Sequence, residues 1–135
     1  MLVIGPRVTI AYLQATGACY VEDADFNRSL IGRGYSGAPD CRNKPECEGE
    51  VSKGPIPRGV WRIGRPYDHK RLGPCCVPLS PVKLEAGRLE HERSGFFIHG
   101  DNSRGDGSAS SGCIILPRQT RECIRGLGAT HLIVE

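Results

Sequence analysis

At 135 residues the chain is long enough for one domain built on one modest core. Glycine (18) and proline (10) are abundant and aromatics make up only 6%, which argues against a helical bundle and for a loop-rich, strand-based domain. The net charge of +3 comes with no basic stripe interleaved with aromatics, and no apolar run reaches membrane-spanning length, so neither a nucleic-acid partner nor membrane insertion is expected.

In chain order, "MLVIGPRVTIAYLQ" has a short apolar patch, no basic n-region and a polar break at Arg7, and predicts no signal peptide. Arg7 to Gln14 alternates as a strand, "ATGA" is a turn, and "CYVE" resumes as the hairpin partner. From Gly34 to Pro57 the chain has almost no apolar content and predicts a long loop, with Cys41 and Cys47 close enough in sequence to staple it. Gly59 to Gly64 predicts a strand with Trp61 and Ile63 on one face and Val60, Arg62 and Gly64 on the other. "CCVPLSPV" is extended, and its prolines suit an edge strand. "LEAGRLEHERSG" is polar and turn-rich, and "GFFIHG" is the most strand-like run of the chain. "CIIL" predicts a short buried strand. Pro117 stands where a helix can start, with Cys123, Ile124 and Leu127 on one face and Gly126 or Gly128 as its stop. "HLIVE" predicts a terminal strand, and the sum is a single mostly-β domain over residues 1–135 with one short helix.

Seven cysteines are many for a cytosolic chain of this size, and the odd number suggests one thiol left free while six pair. Disulfides persist in oxidising compartments, so the composition suggests work outside the cytoplasm. Adjacent cysteines rarely bond each other, so Cys75 and Cys76 are expected to find partners elsewhere. No Cys-x-x-Cys pair is present, and no metal site is expected. Cys123 reads equally as an unpaired core thiol. His69 and His91 lie in polar stretches and read as solvated, and His131 as structural. The "RGD" at 104–106 and the "NRS" at Asn27 read as chance matches.

The stretch "GFFIHGDNSRGDGSASSGCIIL", Gly95 to Leu116, places His99 and Cys113 at the inner ends of two apolar runs joined by turn residues. Adjacent strands would set them side by side, as a cysteine nucleophile and its base require. Gly112 allows close approach of a substrate and a turn whose N–H groups converge, as an oxyanion hole requires. Asp101 could orient the imidazole or bind substrate. On spacing alone a buried structural cysteine remains the alternative.

"IHGD…SSGCIILP" resembles the active-site signature of the YkuD-type L,D-transpeptidases, and "GYSG…GPIPRGVWRIG…GFFIHGD…ASSGCIILPR" resembles their small, divergent relatives delivered as toxic effectors by type VI secretion, the Tlde family. Ser111 stands where the larger family has a second histidine, which leaves His99 as the sole base of the motif. The resemblance implies an L,D-transpeptidase-like β-sandwich with a short helix after the nucleophile strand. It implies Cys113 as nucleophile, His99 as its activator, and the Gly100 carbonyl region or Asp101 as the group that orients His99. Ser110, Ser111 and Gly112 would shape the turn, with backbone N–H groups around Gly112 and Cys113 as the oxyanion hole. Arg118 and Arg121 are candidates for a substrate carboxylate, although a solvated helix face explains them equally well. Tyr35, Ser36 and Pro55 to Pro57 would border the cleft, or serve turn chemistry alone.

The implied substrate is the tetrapeptide stem of peptidoglycan, and the implied reaction is carboxypeptidase, transpeptidase or D-amino-acid exchange chemistry without metal or cofactor. Implied partners are a secretion apparatus and a cognate immunity protein. The implied route is export without a classical signal peptide into the periplasm of a target bacterium. Two other readings stay open: another Cys–His cell-wall amidase or endopeptidase, and a non-catalytic, disulfide-framed secreted binding module with Cys113 in a disulfide.

Overall fold

The computed structural model describes residues 8–82 and 93–135. The expectations for the N-terminal segment up to Arg7, and for His91 and most of the polar stretch around it, lie outside the described residues. Among the described residues, ten strands and one α-helix follow in order: β1 Thr9–Tyr12, β2 Ala18–Glu22, β3 Arg28–Arg33, β4 Tyr35–Ser36, β5 Gly59–Ile63, β6 Tyr67–His69, β7 Gly73–Pro81, β8 Phe96–His99, β9 Ile114–Ile115, α1 Arg118–Leu127 and β10 His131–Val134. A single 3-10 turn, Pro45–Cys47, interrupts the loop between β4 and β5. The domain is mostly β, with one short helix directly after β9, as the sequence predicts.

One hydrogen-bonded path runs β3-β2-β1-β10-β5-β7-β8-β9-β4, and β6 pairs with β7 off this path. The expected sandwich is therefore continuous in its hydrogen bonding, not divided into two separately bonded sheets. Two contacts are parallel, β1 with β10 and β8 with β9. The β1–β2 hairpin turns through Gly17 at φ +77°, where an added Cβ would lie 1.8 Å from the Gly34 carbonyl oxygen. Only glycine meets both demands.

The core draws on β1, β5, β7, β8, β9 and β10: Ile10, Tyr12, Trp61, Val77, Ile98, Ile114 and Leu132 are buried in one cluster with Ile124 of α1. Trp61 and Ile63 face it and Arg62 is exposed, as alternation along β5 requires. Trp61 meets Phe96 edge to face at 5.1 Å and donates its indole N–H to the Pro57 carbonyl at 3.0 Å. Its polar end is thus satisfied inside the core.

Several expectations are corrected. β7 is not an edge strand, because β5 and β8 flank it in the path. Pro78 is tolerated there because its carbonyl faces Gly64 N–H at 2.8 Å. Its nitrogen has no hydrogen to return that bond, and the loss falls just past the end of β5 at Ile63. The Gly34–Pro57 loop contributes β4 to the sheet. On α1 the buried residues are Thr120, Arg121 and Ile124, whereas Leu127 is exposed and Cys123 half-buried. The helix docks by polar bonds as well as apolar contact: Thr120 Oγ1 donates to Ile31 O at 2.8 Å, above Gly32, where a Cβ would strike that hydroxyl. Gly128, at φ +63°, ends it.

The cysteine arithmetic is also corrected. Cys41 and Cys47 are joined, but Cys19, Cys75, Cys76, Cys113 and Cys123 are all free. Cys19, Cys75 and Cys76 are buried, so they act as small apolar side chains. Burial pushes the Cys19 thiol up to about 12 and that of Cys76 up to about 11.

Candidate active site

The turn before β9 is built by two serines. Ser36 Oγ, fully buried, donates to the Gly112 carbonyl at 2.7 Å and accepts the Ile56 N–H at 2.8 Å. Ser110 Oγ donates to the Cys113 carbonyl at 2.6 Å and accepts from Gly37 N–H at 2.9 Å and Gly112 N–H at 3.1 Å. One donor and two acceptor sites are all that a hydroxyl has, so Ser110 is saturated. Gly112 stands at φ +147°, and a Cβ there would lie 2.7 Å from Phe96 Cε1. Both backbone conformation and space demand glycine. The long loop between β8 and β9 is laced in the same fashion: Asn102 Nδ2 donates to Ser108 Oγ at 3.0 Å and Asp106 Oδ1 accepts Ser108 N–H at 3.1 Å.

Cys113 directly precedes β9, which pairs in parallel with β8 through Ile98 with Ile114 and His99 with Ile115. This register sets Cys113 at the level of Phe97, two residues from His99 on the neighbouring strand. Cys113 and His99 are not hydrogen-bonded to each other in this state. Cys113 opens onto a cavity of about 370 Å³, lined with it by Val51, Arg93, Phe96, Ser111 and Gly112. Burial pushes its thiol up, while a hydrogen bond from the Phe97 backbone and the Arg93 charge push it down; burial prevails. At neutral pH the sulfur is therefore a protonated thiol.

His99 is 5% exposed. Its Nδ1 lies 2.8 Å from the Gly100 carbonyl oxygen. A carbonyl can only accept, so Nδ1 carries the proton and Nε2 the lone pair. Burial is the largest influence and lowers its pKa; the Gly100 carbonyl raises it, Arg121 and His69 lower it, and Asp101 raises it. The ring is neutral at neutral pH, the form a base requires. The group bonded to the ring is the Gly100 carbonyl. Asp101 instead accepts the Tyr35 hydroxyl at 2.8 Å and the Asn102 N–H at 2.9 Å. Burial, then that bond, push the Tyr35 phenol up to about 12.

Tyr35, Gly100, Asp101, Arg118 and Arg121 gather on a second cavity of about 290 Å³, which Arg33 also lines. Arg118 is exposed and stands 3.7 Å from Glu122. Arg121 is buried and ties α1 to the sheet, donating Nε to Leu116 O at 3.1 Å and Nη1 to Pro74 O at 2.5 Å and Cys75 O at 3.3 Å. The expected site residues thus divide between two cavities: Ser111, Gly112 and Cys113 on the first, and Tyr35, Gly100, Asp101, Arg118 and Arg121 on the second. Ser110 lies beneath the turn, and His99 stands on β8 between the two groups.

Other expectations for polar residues are adjusted. His69 is half-buried, not solvated: its Nδ1 accepts Arg71 N–H at 3.0 Å and Leu72 N–H at 3.1 Å, and its ring meets Phe97 at 5.6 Å. Among the described residues, one group has the ligand chemistry of a metal site, Cys41, Cys47 and Glu50, and its two sulfurs are bonded to each other. The sequence reading missed Arg93. It sits in a polar stretch with no motif around it, and only the return of the loop 48–55 toward β8 reveals it.

No curated protein matches the chain. The family model of the Tlde1 domain matches residues 31–128, well over half of the chain and a span that contains both cavities. The chain belongs to the Tlde1 domain family.

Proposed function

We propose that the chain is a cysteine enzyme of the bacterial cell wall, an L,D-carboxypeptidase or L,D-transpeptidase acting on peptidoglycan tetrapeptide stems. It would be delivered into the periplasm of a target cell by type VI secretion, with an immunity protein as its partner in the producing cell. The observation that carries this reading is the setting of Cys113: a free thiol on an open cavity, faced by a backbone N–H and a buried cation, beside a strand that bears a buried neutral histidine. A free Cys113 also favours the enzyme over the binding module, which requires that thiol in a disulfide. Membership of the Tlde1 domain family supports the effector context. The Cys41–Cys47 disulfide suits an oxidising compartment.

The steps follow from the chemistry of these groups. His99 Nε2 takes the Cys113 proton, and the sulfur attacks the carbonyl at the L-centre of the diamino acid that precedes the terminal D-alanine of the stem. The oxyanion is met by backbone N–H groups of the Gly112–Cys113 turn, with Gly112 exchanging Ser110 Oγ for it. The intermediate collapses, the C–N bond breaks, and D-alanine leaves with the proton from His99. Water then resolves the thioester to a tripeptide, or an amine resolves it to a new amide. A substrate carboxylate would be drawn toward Arg33 and Arg118 on the second cavity.

The test is incubation of wild type and Cys113→Ser with purified tetrapeptide muropeptides, read by mass spectrometry. Tripeptide or D-amino-acid-exchanged product from wild type alone is expected. Equal product from both proteins, or none from wild type, overturns the reading.

A further inference from the structure

A charge outside the expected motifs stands against Cys113. Arg93, just ahead of β8, is 8% exposed. Its Nη1 donates to Glu48 O at 2.9 Å and Pro55 O at 3.0 Å, and its Nη2 to Gly54 O at 3.2 Å. The guanidinium lies over the Phe96 ring, 5.0 Å from its centroid. A Cβ on Gly112 would lie 2.9 Å from Arg93 Nη2, so the cation rests against the residue before the nucleophile. A guanidinium has five N–H donors and keeps its charge at any working pH. Three donors are committed here, which leaves Nε and one hydrogen of Nη2. The Glu48 carboxylate is bonded to Arg58 at 2.8 Å and acts on Arg93 only through space, while the Glu48 backbone oxygen meets Arg93 directly.

All three carbonyls that grip Arg93 belong to the loop 37–57; the Cys41–Cys47 disulfide closes residues 41–47 of it and ends next to Glu48, the first of the three. The loop is tight. Gly54 N–H donates to Glu50 O at 2.8 Å, and a Cβ on Gly54 would lie 1.9 Å from Cys47 O. Val51 and Ser52 of the same loop line the Cys113 cavity. The disulfide, the carbonyl clamp and the cavity wall are thus one unit.

We infer that Arg93 is the fixed cation of the Cys113 site and that the Cys41–Cys47 disulfide, by anchoring Cys47 against Glu50 and Gly54, holds the carbonyls that fix it, so that reducing Cys41–Cys47 loosens Arg93 and slows the thiol chemistry of Cys113. The inference rests on Cys113 as the reactive thiol and not on the identity of its substrate. The direction of the Arg93 effect on Cys113, favouring the thiolate, agrees with it. The other titratable groups near Cys113 are the Cys76 thiol on β7, pushed up to about 11, and His99 on β8, both uncharged at neutral pH. Reduction takes two electrons and two protons from a dithiol, which becomes a disulfide, and leaves two thiols in the loop; a disulfide oxidant reverses it. A reducing cytosol therefore holds the chain in its slow form, and an oxidising compartment converts it to the fast one.

The experiment follows alkylation of Cys113 by iodoacetamide against pH, read at that peptide by mass spectrometry on the full chain. The proteins are wild type, Arg93→Gln, Arg93→Lys, the Cys41→Ser/Cys47→Ser double variant, and that double variant with Arg93→Gln. Arg93→Gln is expected to move the profile about one pH unit upward, slowing alkylation about tenfold near neutrality, with Arg93→Lys between it and wild type. The double variant is expected to be slowed several-fold. Adding Arg93→Gln to it is expected to cost less than in wild type, because the two act through one contact. Profiles that coincide with wild type, or effects that combine independently, overturn the inference. Should Arg93→Gln fail to fold, Arg93→Lys and the double variant decide it. Muropeptide turnover on the same samples separates the two readings: shifted alkylation without wild-type turnover removes only the peptidoglycan reading, and turnover with coincident alkylation profiles removes only this one.

Discussion

The middle of the sheet and its β9–β4 end are held by different chemistry. From β1 through β10 and β5 to β8, regular ladders carry apolar side chains into one core. At the other end β9 and β4 have two residues each, and side chains take over from the ladder. Ser36 and Ser110 satisfy backbone groups next to these short strands, and Arg93 satisfies carbonyls of the neighbouring loop 48–55. The physical reason is that a site needs an open turn, and an open turn cannot carry a regular ladder. Buried backbone groups must still be paired, so polar side chains do it.

Substitutions should separate the two regions. The largest effect on stability is expected in the ladder region. Ile98→Ala removes a fully buried side chain and should cost about 2–5 kcal/mol in denaturant unfolding, with Cys113 alkylation unchanged while the protein is folded. Ser110→Ala leaves two N–H groups and a carbonyl without their partner. It should cost about 1–3 kcal/mol and also change Cys113 alkylation, which Ile98→Ala should not. An unchanged alkylation rate in Ser110→Ala would remove the distinction between the regions.

A smaller effect is expected from pH. Folding lowers the His99 pKa below 6.5, chiefly by burial, so as pH falls the unfolded chain takes up this proton first. Folding stability should therefore decline as pH drops from 6.5 through the folded value and level off below it. His99→Gln should flatten that part of the stability curve, measured by denaturant unfolding at several pH values. The acid limb of turnover should lie below 6.5 for the same reason. The smallest effect is expected at Arg118, an exposed residue with a loose ion pair. Arg118→Gln should change stability by less than about 0.5 kcal/mol, and any effect on turnover should appear in KM.

The elements with strong periodicity were legible from the sequence. The hairpin of Arg7–Gln14 with "CYVE", the Trp61 and Ile63 face, "FFIH" and "CIIL" stand where pattern and turn chemistry put them, and the helix stops at Gly128, one of the two glycines expected. The edge position of β7 was misjudged because proline in a strand signals a missing donor, and the sequence does not show which flank that donor faces. The cysteine pairing was misjudged because parity says nothing of distance: Cys75 and Cys76 lie in the middle of the sheet and Cys19 in the core, and all three are free. Leu127 was misplaced because Thr120 and Arg121, polar by type, take the buried face of α1 by bonding to backbone carbonyls of other elements.

The sequence by itself determined the local geometry around Gly95–Leu116: two strands, a turn that only glycine can make at 112, and a histidine and a cysteine at the strand ends. It did so because steric limits and side-chain periodicity act over a few residues. Tertiary structure alone decided the surroundings of that pair. It brought the carbonyls of Glu48, Gly54 and Pro55 to Arg93, Ser36 to Gly112 O, and Asp101 to Tyr35 rather than to His99. These contacts join residues from distant parts of the chain, and what sets them is which buried polar group is left to be paired once the sheet has closed.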